Sequence, residues 1–211
     1  MSACSCPTEQ ISKYLDGILQ PFVSKLPTYV KDTNHCLALV DAFKFDNTSQ
    51  SSLLFTMDVK SLYTVIPNQD GLRALQHYLD KRDTQQPSTT TLLRLAELVL
   101  SFNAFRYDDR FYKQVGGVSM GTRMGPSYAC LFIGFIEEQI DNSYTGRKPE
   151  LLKRFIDDIV GATSMEMAEL KTYINFVQEF HPALEYTFNI TDVSLPFLDI
   201  YLSIEDDHIR T

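Results

Sequence analysis

Two adjacent acids, Asp157 and Asp158, interrupt the apolar run Arg154-Phe155-Ile156-Asp157-Asp158-Ile159-Val160. Successive side chains of a strand point to opposite faces, so neighbouring carboxylates can serve one site only where the chain turns. The segment therefore predicts two short strands joined by a tight turn, with negative charge that calls for a cation. An ordinary solvated turn is the competing reading. Upstream, Ser52-Leu53-Leu54-Phe55-Thr56-Met57-Asp58-Val59-Lys60 predicts a buried strand closing on an acid, Asp58. A carboxylate in that position is expensive to desolvate unless it is paired or bound to metal. If the strands are neighbours, Asp58, Asp157 and Asp158 can hold two divalent ions, the arrangement that activates an attacking oxygen and stabilises a leaving oxygen in phosphoryl transfer. Hard oxygen ligands favour Mg2+ or Mn2+ over Zn2+.

At 211 residues and 44% hydrophobic content the chain has enough material for a folded core and is not of disordered composition. No run reaches the ~18 apolar residues of a membrane span, and the N-terminus has neither the basic start nor the apolar middle of a signal peptide, so an intracellular location is expected. Cys4, Cys6, Cys36 and Cys130 lack metal-ligand spacing and read as thiols. Charge pulls against a nucleic-acid partner: 19 basic and 27 acidic residues leave a net charge of -8, whereas a nucleic-acid-binding module usually carries a basic face. Neutralising three acids with metal would still leave a negative chain.

Apolar spacing predicts a helix over 8–26, capped by Thr8 and kinked or broken at Pro21, and a second over 34–43 capped by Asn34. After the strand ending at Asp58, helices are expected over 69–81, capped by Asn68, and from Ser88 or Thr89 onward. Residues 102–107 and 111–115 read as a hairpin about Asp108-Asp109-Arg110. Gly116 to Pro126 reads as a mobile glycine-rich loop, with Pro126 suited to the first turn of a helix reaching 140. A helix over 165–180 and strands over 184–190 and 197–204 complete the chain. Without the inserted hairpin this is a split β-α-β-β-α-β plan, an α+β fold with an antiparallel, ferredoxin-like sheet and helices on one face.

Four segments in order, Met57-Asp58-Val59-Lys60-Ser61-Leu62-Tyr63 running on to Pro67, Gly117-Val118-Ser119-Met120-Gly121 running on to Pro126-Ser127-Tyr128-Ala129, Phe155-Ile156-Asp157-Asp158, and Leu195-Pro196-Phe197-Leu198-Asp199, resemble the palm motifs of reverse transcriptases. The likeness is greatest to Penelope-like retroelement polymerases, themselves similar to telomerase reverse transcriptase. The resemblance implies an RNA-directed DNA polymerase palm over 52–211, preceded by a helical remnant of the fingers over 1–51. It makes Asp58 and Asp157 the principal ligands of two Mg2+ or Mn2+ ions, with Asp158 completing the cluster and Val59 lending its carbonyl. Tyr63 would lie under the incoming sugar and exclude a 2'-hydroxyl; a packed aromatic is the alternative. Met120 and Gly121 would meet the nucleotide and nascent base pair, and Arg123, Gly125 and Pro126 the template, although Met120 could simply pack and Arg123 be a solvated charge. Leu195, Phe197 and Leu198 would grip the primer end, or else form an ordinary core strand. Implied partners are an RNA or DNA template with its primer and dNTPs, and no membrane. The family implies a nuclear destination that no basic cluster encodes.

The chain departs from the family's pattern in its flanks. Basic residues of the fingers are largely missing, and neither a thumb nor an endonuclease domain is expected within it. No Lys follows Lys171 to protonate pyrophosphate; His181 and His208 are conceivable substitutes, each more simply read as a surface or core histidine. Two other functions stay open: a non-catalytic protein using the palm as an interaction scaffold, and a two-metal nuclease, for which neither Tyr63 nor the glycine-rich loop has a use.

Overall fold

The computed structural model describes residues 7–45, 52–102, 104–205 and 208–211. Two compact units result, each built from two stretches of chain: residues 1–26 with 61–138, and residues 27–60 with 139–211. Cys4 and Cys6 lie outside the described residues; Cys36 and Cys130 are buried thiols. Among the described residues no helix is long and apolar enough to cross a membrane.

The second unit holds the predicted sheet. Its strands are β1 (Leu53–Val59), β4 (Leu151–Phe155), β5 (Asp158–Thr163) and β6 (Tyr186–Thr191), in the order β4-β5-β1-β6 and antiparallel at every junction. With α7 (Met167–Phe180) between β5 and β6, this is the strand order of the split β-α-β-β-α-β plan. Register divides β1 cleanly. Leu54, Thr56 and Asp58 stand opposite Ala162, Val160 and Asp158 on one face, while Leu53, Phe55 and Met57 oppose Thr163, Gly161 and Ile159 on the other. Gly161 is required sterically, because a Cβ there would lie 2.2 Å from the Phe55 ring.

On the face of Leu54, Val160 and Ala162 a core cluster forms with Val30, Cys36 and Val40 and with Leu195, Phe197, Leu202 and Ile209. These come from α2 (Thr33–Asp41) and from a second antiparallel sheet, β7 (Ser194–Phe197), β8 (Ile200–Glu205) and β9 (His208–Arg210). The strand expected over 197–204 starts later, at Ile200, because Leu198 and Asp199 form the turn from β7, where Leu198 adopts a φ of 52° that strand geometry forbids. The cap of α2 also differs: Asp32, not Asn34, accepts the His35 N–H at 2.9 Å.

The first unit contains α1 (Glu9–Val23), α3 (Leu62–Val65), α4 (Asn68–Leu79), α5 (Thr89–Ser101) and the hairpin β2 (Ala104–Tyr107) and β3 (Arg110–Lys113). Pro21 lies inside α1, which ends two residues later. Ser88 caps α5 by accepting from Thr91 N–H, whereas Asn68 is the first residue of α4 rather than its cap. Asp108 and Asp109 both have positive φ, 47° and 58°, the two-residue turn whose twist matches paired strands. Helix α6 (Gly125–Ser143) begins one residue before Pro126 and continues from the first unit into the second.

Candidate active site

The two-residue connection between β4 and β5 is Ile156-Asp157, closed by the pair Phe155 and Asp158. Ile156 has a φ of 56° while Asp157 does not join it at positive φ, the pattern of a hairpin turn that favours Gly at its first central position. A β-branched residue there is a genuine outlier and carries strain of about 1–3 kcal/mol. The turn sets Asp158 directly across from Asp58 on β1. Cβ atoms so opposed lie about 4.5–5.5 Å apart. Asp157 is tied to the same strand, its carbonyl accepting from Val59 N–H at 3.3 Å.

The electrostatics report the crowding. Burial pushes the Asp158 carboxyl above the usual aspartate range, and the charges of Asp157 and Asp58 push it the same way, as does its hydrogen bond with Asp58. Asp157 is likewise raised, first by burial and then by Asp58, against an opposing pull from the Arg154 guanidinium. Asp58 and Asp158 face each other across the strand pair, and Asp157 adjoins them in the turn. Among the described residues no three His, Cys, Asp or Glu side chains are grouped so as to hold a metal ion. The donors of the cluster are all oxygen, and Arg154 relieves part of the repulsion at Asp157.

Asp58 and Asp158 open onto a groove lined also by Thr56, Thr187, Asn189, Pro196 and Leu198. Of the expected primer-gripping residues, Leu198 is half-buried at this groove. Leu195 is fully buried in the core cluster, and Phe197, though it borders the groove, is only 4% exposed. Leu195 thus packs and has no surface to offer a nucleic acid. His181 ends α7 and its Nδ1 accepts from Ala183 N–H, while His208 bridges to Lys44 at the edge of β9; both have structural placements.

The first unit has its own hollow, lined by Tyr63, Met120, Gly121, Thr122, Arg123 and Pro126. Met120 is 65% exposed and Arg123 is exposed, while Gly125 lies 3.6 Å, measured from an added Cβ, from the Tyr63 ring. The glycine-rich loop is held rather than loose. Val118 and Met124 are fully buried, and Val118 N–H donates to the Tyr63 carbonyl at 2.7 Å. Gly117, at a φ of 71°, passes so close that a Cβ would meet that carbonyl at 2.4 Å. Its contribution was hidden in the sequence, where only the Gly116-Gly117 doublet hinted at close backbone approach. Arg154 was also missed, since arginine at a strand end ordinarily reads as exposed.

No family model and no curated protein matches the chain. Solved structures do. Telomerase from Candida tropicalis, truncated from its C-terminal domain, aligns over 97% of this chain and 44% of its own, with a TM-score of 0.67 and 13% identity. Telomerase from Candida albicans, in complex with a fragment of telomeric RNA, aligns over 95% of this chain and 37% of its own, at a TM-score of 0.69 and 11% identity. The BmCPV RNA-dependent RNA polymerase at its quiescent state aligns over 92% of this chain and 19% of its own, at 0.66 and 8%. The chain spans less than half the length of each. It has the α+β palm-like fold common to these nucleic-acid polymerases.

Proposed function

We propose that this chain is the palm of an RNA-directed DNA polymerase of the Penelope-like retroelement kind, transferring deoxynucleotides to a primer 3'-hydroxyl. The observation that carries the proposal is the register pairing of Asp58 with Asp158, with Asp157 in the adjoining turn. Mg2+ or Mn2+ bound to these carboxylates would activate the primer hydroxyl and neutralise charge on the departing pyrophosphate. Asp58 and Asp157 serve as principal ligands, assisted by the Val59 carbonyl, and Asp158 keeps the local field negative. In the first unit, Tyr63 offers its ring to the deoxyribose, and Met120 and Gly121 offer an open surface to the base. Arg123, Gly125 and Pro126 take the template, and Leu198 the primer end. Positioning and charge, rather than covalent chemistry, are the protein's contribution.

The net charge of -8 favours a second reading, a palm kept as a scaffold for another protein. Primer extension on an RNA template with dNTPs and Mg2+ separates the two. Incorporation by the wild type that is abolished in folded Asp58→Ala and Asp157→Ala supports the polymerase. No incorporation by any form supports the scaffold, and strand cleavage without incorporation supports hydrolysis by the same carboxylates.

A further inference from the structure

Arg154 heads the largest fully buried side chains, at 2% exposure. A guanidinium this deep needs partners that justify its desolvation. One is the Ile156 carbonyl, which accepts from Nη1 at 2.7 Å. Another is the charge of Asp157, which Arg154 opposes. The Arg154 backbone is pinned as well, its N–H donating to the Thr28 carbonyl at 2.6 Å and its carbonyl accepting from Val30 N–H at 2.9 Å. In register Arg154 stands opposite Ile159, on the sheet face away from Asp58 and Asp158. The guanidinium therefore reaches the turn from behind the acids, at Ile156, the residue of that turn with a left-handed backbone.

We propose that Arg154 is a positioning residue: its hydrogen bond to the Ile156 carbonyl holds that residue left-handed, so that Asp157 and Asp158 face Asp58 together. The effect on metal binding rests on the polymerase reading; the effect on the turn does not. Glycine adopts the left-handed conformation without strain, so Ile156→Gly should make Arg154 dispensable. The test is a cycle of wild type, Arg154→Gln, Ile156→Gly and the double variant, with Arg154→Lys replacing Arg154→Gln if the latter does not fold. Two properties are measured: urea midpoint without metal, and Mn2+ affinity by electron paramagnetic resonance.

Arg154→Gln should weaken Mn2+ binding by about 10–100-fold, the range found when groups orienting metal ligands are removed. The double variant should recover most of that loss, and Arg154→Gln should lower the urea midpoint less in the glycine background. Equal losses in both backgrounds would make Arg154 an ordinary buried residue and overturn the proposal. If the wild type binds no Mn2+ while the urea cycle still shows coupling, the metal reading fails and the turn-holding role stands.

Discussion

Replacing Asp158 by Asn should stabilise the metal-free protein at neutral pH, a gain at a residue whose charge is proposed to serve catalysis. Asp158 stands directly opposite Asp58, and like charges so placed destabilise a sheet by roughly 0.2–1 kcal/mol. The carboxamide removes one charge and donates to Asp58 the hydrogen bond that Asp158 can donate only when protonated. Asp158 is exposed as a residue although its carboxyl is partly desolvated, so solvent screens the pair and holds the effect to about 1 kcal/mol or less. For a chain of this length that gain raises Tm by about 2–4 °C. The sign with pH follows from the raised carboxyls. Protonation is easier in the folded state, so their stability contribution is complete below the ordinary aspartate value of 3.8 and is lost as pH rises through the folded values. The advantage of Asp158→Asn should therefore be present at pH 8 with EDTA and vanish at pH 3. Thermal melts at both pH values decide it. A variant no more stable than wild type at pH 8, or equally advantaged at pH 3, would refute the crowding of the acids.

Tyr63→Val should admit ribonucleotides, raising the ratio of rNTP to dNTP kcat/KM about tenfold or more, the scale of a single pocket contact; an unchanged ratio would leave Tyr63 a packing residue. Gly117→Ala should cost about 2–3 kcal/mol in urea unfolding, because its Cβ meets the Tyr63 carbonyl at 2.4 Å and its φ is 71°; a loss below about 0.5 kcal/mol would show that the loop yields easily. Glu150 behaves oppositely to the central acids. Burial raises its carboxyl, but hydrogen bonds from Ser164 and Thr163 bring it below the ordinary 4.5. Glu150→Ala should cost about 1–3 kcal/mol at pH 7, a loss that shrinks as wild-type Glu150 protonates on acidification through its folded value.

Much of this site was legible because it depends on short-range rules. Period-2 alternation set Leu54, Thr56 and Asp58 on one side of β1, and two acids between apolar runs required a turn, so convergence needed only that the strands be neighbours. What escaped depends on contacts that sequence does not display. Ile156 gives no sign of a left-handed backbone, since its residue type argues against one, and Arg154 gives none of burial. The turn at Leu198 is another positive φ at an apolar residue, which is why the strand expected from 197 begins only at Ile200. Asp32 displaced Asn34 as a cap because either residue type can accept from a helix N–H and the helix starts at Thr33, one residue before Asn34. The glycine-rich loop read as loose because its anchor, the Tyr63 carbonyl, lies 55 positions before Val118.

Counting Mn2+ ions bound to the wild type, Asp58→Asn and Asp157→Asn, by electron paramagnetic resonance in the presence of dNTP and a primer on RNA, bears most directly on the shared acidic site. Two ions on the wild type, with affinity lost in both variants although all three proteins melt cooperatively, is the expected result. Equal Mn2+ binding by all three would mean that these carboxylates, close as they are, hold no cation in common.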